Sequence, residues 1–218
     1  MAEYTHVGPG LPPLHGAQAN ALILGSFPSP KSREQGFFYG HPQNRFWPML
    51  AAVTGEPVPD WADIEAKKRI ILRHGLAVWD TIGACDIRGA SDASIRNAVP
   101  NDVAALIRQL GVQAVFCNGA ASGRIYAKYA EPLTHLPAVV LPSTSPANAA
   151  WSPARLQAVW GAALVLLRPS DAGFAVDPQF NRSEKLNVYT DCTAAIEAMK
   201  AVSKPENITL HSLSEWGG

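Results

Sequence analysis

Apolar and polar positions run in alternating blocks along this chain, and the blocks read as strands and helices in turn. Asn20 to Leu24 is a short apolar run stopped by Gly25, the pattern of a buried strand. Helical spacing follows from Asn44 to Val53, with Phe46, Trp47 and Leu50 on one side. Ala62 to His74 reads as a basic amphipathic helix and Leu76 to Trp79 as a second strand. Asp102 to Leu110 is a helix stopped by Gly111. Val112 to Cys117 is a third strand, Ser122 to Tyr129 a helix, and Ala138 to Leu141 a fourth strand. A last helix runs from Pro153 to Leu167, with Ser152 as its N-cap and proline in its first turn.

Strands alternating with helices predict an α/β fold. It has three layers, α/β/α, around a central, mainly parallel four-stranded sheet. In such folds the working loops leave the carboxyl ends of the strands. Three polar loops do so here, at 25–43, 80–100 and 142–151, and they mark the expected site. After Pro169 the composition changes. Ser170 to Glu184 reads as a linker or surface excursion, and 186–189, 192–202 and 208–210 as strand, helix and strand. The expectation is a catalytic domain over 1–169 and an extension over 170–218 whose role stays open.

The 218 residues fit one sizeable domain with a short appendage. No apolar run is long enough for a membrane span, and the first ten residues lack a signal-peptide pattern. A cytoplasmic protein is expected, associated with the nucleoid if the source is prokaryotic. Cys85, Cys117 and Cys192 are far apart and lack metal-ligand spacing, so neither a metal site nor an iron–sulfur cluster is expected. Net charge is zero, but 1–170 hold 14 Lys+Arg against 11 Asp+Glu, while 171–218 hold 4 against 7. A body with a slight positive excess can carry a local basic groove, because phosphate contacts need only a few placed cations.

Three motifs narrow the field. The first is Leu22-Ile23-Leu24-Gly25-Ser26-Phe27-Pro28-Ser29. The second is Phe38-Tyr39-Gly40-His41-Pro42-Gln43-Asn44-Arg45-Phe46-Trp47, and the third Leu141-Pro142-Ser143-Thr144-Ser145-Pro146. Together, over Ala21 to Leu167, they resemble the uracil-DNA glycosylase superfamily, and most of all its hypoxanthine-DNA (deoxyinosine) glycosylase branch, family 6. The resemblance implies a monofunctional hydrolase that needs no metal or cofactor. It would act on DNA containing a deaminated base, in base-excision repair, by flipping the nucleotide into a pocket.

Departures from the superfamily pattern refine that expectation. Its first motif usually carries Asp or Asn where this chain has Phe27, and its uracil enzymes carry His where this chain has Leu141. Neither residue can handle water or a leaving pyrimidine. In the hypoxanthine branch the Asn of His-Pro-x-Asn is the catalytic group, which is Asn44 here. Its amide oxygen would orient the water; on the residues alone, a helix cap is the favoured reading.

Gly25, Ser26, Phe27, Tyr39, Asp80 and Asn118 are the expected base-binding residues. Tyr39 would stack on the base. Asp80 would accept from a base N–H, or cap its turn. Asp92 matches a loop pattern of the branch without an evident role. Pro142, Ser143, Thr144, Ser145 and Arg45 are the expected DNA contacts, and Arg88 and Arg96 further possible phosphate contacts. Lys31 is the nearest lysine to the first two motifs, which hold no Schiff-base nucleophile. The alternatives are a uracil or mismatch glycosylase on the same fold, a catalytically silent nucleic-acid-binding module, and an unrelated small-molecule α/β enzyme.

Overall fold

The computed structural model describes residues 3–89 and 91–164, and the backbone of 167–170 and 173–176. In chain order the elements are β1 (Thr5–Val7), β2 (Ala21–Gly25), α1 (Pro30–Gln35), α2 (Phe46–Thr54), α3 (Ile64–Arg73), β3 (Leu76–Asp80), β4 (Ile82–Ile87) and β5 (Arg96–Pro100). They continue with α4 (Val103–Leu110), β6 (Ala114–Asn118), α5 (Ala120–Tyr129), α6 (Glu131–Thr134), β7 (Ala138–Leu141), α7 (Pro153–Leu164), β8 (Leu167–Ser170) and β9 (Gly173–Val176).

Four parallel strands in the order β3-β2-β6-β7 form the central sheet. Side chains alternate between its faces, as a pleated strand requires. Ile23, Val78 and Phe116 point to one side, into a core shared with Phe46, Leu50, Ile71, Leu156 and Trp160 of α2, α3 and α7. Leu22, Leu24, Val115 and Cys117 point to the other, against Leu106, Leu110 and Tyr126 of α4 and α5. Both faces are thus covered by helices, which makes the expected three layers.

Several local expectations are corrected. The helix read from Asn44 starts at Phe46, because the Asn44 side chain folds back to accept the Phe46 N–H at 3.0 Å. The 25–43 loop contains α1, started by Ser29, whose hydroxyl accepts from the Ser32 N–H, and ended by left-handed Gly36. The long polar loop at 80–100 is largely sheet: β4 pairs antiparallel with β1 and β5 around a 3-10 turn at Asp92–Ser94. Ile82, Cys85 and Ile87 of β4 bury themselves on Phe27, which supplies the apolar face the strand needs. The third central strand runs over 114–118 rather than 112–117. The α5 helix starts at Ala120, ahead of Ser122, and α7 stops at Leu164, short of Leu167. β8 and β9 form a hairpin where the sequence reads helix end and linker. The expectations at 186–189, 192–202 and 208–210 lie outside the described residues.

Candidate active site

The carboxyl ends of β2, β3 and β6 deliver Gly25, Asp80 and Asn118 to one place, and the loop after β7 closes over it. The result is a pocket of about 430 Å³. Phe27, Phe38 and Tyr39 supply aromatic walls, while Ser26, Asn44, Asp80, Asp92, Asn118, Ser143, Thr144 and Ser145 supply polar groups. Nearly all the expected site residues therefore converge. Arg45 and Pro142 are not among the residues lining the pocket.

Gly25 sits opposite Asp80 in the strand register, and the close approach needs a residue without a side chain. A β-carbon on Gly25 would lie 2.3 Å from Asp80 Oδ1. Asp80 is 5 % exposed and its Oδ2 has no hydrogen-bond partner. An orphaned buried carboxylate oxygen is expensive unless a ligand or a proton satisfies it. Burial, and then the negative charge of Asp92, push the Asp80 carboxyl up to about 7. Asp80 therefore caps no turn through Oδ2.

Asp92 has a definite partner. Its Oδ2 accepts from the Ser26 hydroxyl at 2.6 Å. The residue as a whole is exposed at the pocket rim, with its carboxyl turned inward. Burial of that carboxyl raises its pKa, partly offset by the Ser26 bond and by Arg124. The sequence marked Asp92 only as part of a loop pattern; a bond across 66 residues of chain left no local signal.

A second network joins Asn44, Thr144 and Asn118. The Thr144 N–H donates to Asn118 Oδ1 at 2.9 Å, so the other end of that amide is its NH2. That NH2 donates to Thr144 Oγ1 at 2.9 Å, and the Thr144 hydroxyl donates onward to Asn44 Oδ1 at 2.9 Å. The Phe46 N–H is the second donor to Asn44 Oδ1. Two backbone N–H groups, whose polarity is fixed, thus set the direction of every bond in the chain. An amide oxygen has two lone pairs, and both are taken. What Asn44 has left for the pocket is its NH2, a donor that is without a partner among the described residues.

Thr144 is fully buried, so its hydroxyl does not face outward to meet a phosphate as expected. Arg45 also differs from the expectation. Its side chain donates to the carbonyls of Thr144 at 3.3 Å, Ser145 at 2.5 Å, Asn148 at 3.1 Å and Trp151. A planar guanidinium with five donors suits this clamp, which pins the loop after β7 to the start of α2. Ser143 and Ser145 are half-buried and line the pocket, with Ser143 Oγ accepting from the Ser145 N–H.

The Tyr39 ring stacks on Phe46 at 3.9 Å, which occupies one of its faces. Its hydroxyl is buried near Asp80 and Asn118, and burial followed by the Asp80 charge hold it protonated far above the usual range, against a smaller opposing effect of Asn118. Phe37 and Phe38 are core residues. Leu141, at the position where uracil enzymes carry His, is buried in the same core. Among the described residues no three His, Cys, Asp or Glu side chains group as a metal site would require, and no helix is long and apolar enough to cross a membrane.

Residues 12–164 match the family described as the uracil DNA glycosylase superfamily. The chain belongs to that superfamily. Over 147 residues it is 31% identical to a Methanosarcina acetivorans protein named hypoxanthine DNA glycosylase, covering 66% of this chain and 89% of that one. A Methanosarcina barkeri protein of the same name is 32% identical over 117 residues, 52% of this chain and 72% of its own. A solution NMR structure of a candidate uracil DNA glycosylase from Methanosarcina acetivorans superposes with a TM-score of 0.59 at 27% identity. It covers 72% of this chain and 98% of that one. The superfamily match spans β2 to α7, and so takes in every residue of the pocket.

Proposed function

We propose that this superfamily member hydrolyses the N-glycosidic bond of deoxyinosine in DNA and releases hypoxanthine. The names of the two Methanosarcina relatives support the base, and one structural observation carries the reading: the buried, unpartnered Asp80 carboxyl in an aromatic-walled pocket. Deamination of adenine replaces its amino group by a carbonyl and puts a hydrogen on N1. An acceptor such as the Asp80 carboxyl gains a partner in that N1–H. Adenine presents a lone pair there, which repels an ionised carboxylate. A nucleotide flipped from the duplex would lay its base between the face of Tyr39 not stacked on Phe46 and the neighbouring aromatic wall, where stacking is worth roughly 1–3 kcal/mol.

In the reaction a water oxygen bonds to C1′ as the C1′–N9 bond breaks. The electron pair of that bond leaves with the base, the base gains a proton and the water loses one. Asn44 serves this step through its NH2, which donates to the ring nitrogen on which negative charge develops. Its amide oxygen is already saturated and does not hold the water. Preorganised donors of this kind typically contribute ~10²–10³ in rate. The acceptor for the water is the Asp92 carboxylate, steadied by Ser26. Arg45 acts as the brace of the loop that carries Thr144.

Duplexes containing a single deoxyinosine, deoxyuridine or deoxyxanthosine, treated with the protein and then with alkali, test this reading. Cleavage at deoxyinosine well above deoxyuridine is the expected pattern. Preference for deoxyuridine would replace it with the uracil reading, and no cleavage of any bound duplex with the silent-module reading.

A further inference from the structure

Two of the groups expected to meet DNA phosphates turn out to face inward. Arg45 is spent on four carbonyls and Thr144 is fully buried. On the β1-β4-β5 sheet, however, two guanidinium groups share one ring. Arg88 Cζ lies 4.1 Å and Arg96 Cζ 4.6 Å from the centre of the Tyr4 ring. Both arginines are exposed. Arg88 directly follows Ile87 and closely precedes Ser91 and Asp92, and those three residues line the pocket.

Neither arginine forms an ion pair among the described residues. Asp86 stands opposite Arg96 in the β4–β5 register and is the obvious candidate to neutralise it. Its two oxygens are committed elsewhere, Oδ1 to His6 at 2.8 Å and Oδ2 to Asn97 at 2.6 Å. The backbone under Arg88 is pinned: its N–H donates to Ser94 Oγ at 2.9 Å, and the Ser94 hydroxyl donates to the Ser91 carbonyl at 2.7 Å. Two like charges gathered on one ring repel each other. The electron-rich face of tyrosine offsets part of that cost and orders the side chains. An anion bridging them removes the rest, and a guanidinium fork matches phosphate oxygens in geometry.

We propose that Arg88 and Arg96, held on Tyr4, form a phosphate clamp that grips the DNA strand next to the flipped nucleotide. A DNA strand is favoured over an acidic protein because Arg88 stands close in the chain to Ser91 and Asp92 of the pocket that, on the reading above, takes a base; the proposal rests on that reading for its occupant. Each phosphate neutralised by an arginine releases condensed counterions, so the clamp contributes to the salt dependence of binding.

The test is fluorescence anisotropy across a salt series, with a duplex carrying a non-hydrolysable abasic analogue. Wild type is compared with R88A/R96A, the charge-keeping R88K/R96K and Y4L, each checked for fold by circular dichroism. The double alanine variant is expected to weaken binding at least tenfold and to flatten the slope of log affinity against log salt by about two units, roughly one per lost contact. The lysine pair should keep most of the slope and Y4L should fall between. An unchanged slope in R88A/R96A overturns the clamp. So does displacement of the duplex by polyglutamate as effectively as by non-specific DNA of equal charge. If wild type binds with the expected slope changes yet excises no hypoxanthine, the clamp stands and the proposed reaction falls.

Discussion

The Thr144 hydroxyl donates to the Asn44 amide oxygen at 2.9 Å, across 100 residues of chain. Its direction is forced, since Thr144 Oγ1 must accept from the Asn118 NH2 and Asn44 Oδ1 must accept from the Phe46 N–H. Thr144 and the Phe46 N–H together therefore fix which end of the Asn44 amide meets the pocket. Thr144→Val keeps the shape and removes the hydroxyl. Asn118 then loses an acceptor and Asn44 a donor, both beside a fully buried position. We expect a loss of about 1–3 kcal/mol in stability and a fall of at least about tenfold in single-turnover release. Thr144→Ser, which restores the hydroxyl, should recover most of the rate. Equal rates for the valine and serine variants would remove Thr144 as a positioning residue.

Asn44→Asp separates the two uses of that amide. In the variant one carboxylate oxygen still accepts from Phe46 and Thr144, while the other replaces the NH2 with an acceptor. If the NH2 stabilises the departing base, Asn44→Asp should be as slow as Asn44→Ala or slower, at least about tenfold below wild type. Release near the wild-type rate from the aspartate variant would mean that the position works by accepting from water.

The buried Asp80 carboxyl makes stability depend on pH. Its pKa rises from 3.8 to about 7 on folding, so between those values the folded chain holds a proton that the unfolded chain has lost. Stability from this group is full at low pH and declines as pH rises to about 7. Asp80→Asn removes the titration. Relative to wild type, the variant's Tm should gain progressively from pH 4 to pH 7 and hold a constant lead above that. Thermal unfolding of both proteins over this range checks it. Parallel Tm curves would show that Asp80 ionises normally.

Gly25→Ala should act through Asp80. The added methyl falls 2.3 Å from Asp80 Oδ1, so the carboxyl must leave its place. Hypoxanthine release should drop at least tenfold, while affinity for the abasic-analogue duplex changes by less than threefold. A variant as active as wild type would show that the Asp80 position does not matter to the reaction.

Much of this architecture is written in local pattern. The continuous apolar runs of β2, β3 and β6 announce strands covered on both faces, and Gly25, Asp80 and Asn118 stand where those runs end. The β4–β5 pair left no such pattern, because register shifts between Ile82 and Asp86 break the alternation, and its apolar side chains rest on Phe27 from another segment. The direction of polar side chains was equally hidden. Arg45 reads as a phosphate contact until the carbonyls about 100 residues away are in place around it. The Ser26–Asp92 and Thr144–Asn44 bonds are long-range for the same reason.

Direct detection of the released base tests the central claim. Excess protein is incubated with a duplex bearing one deoxyinosine, beside matched duplexes bearing deoxyuridine or deoxyadenosine, and free bases are quantified by mass spectrometry. The account predicts one free hypoxanthine per duplex, an unbroken strand carrying an abasic site, little uracil and no adenine. Folded protein that binds the deoxyinosine duplex and yields no free hypoxanthine would contradict it.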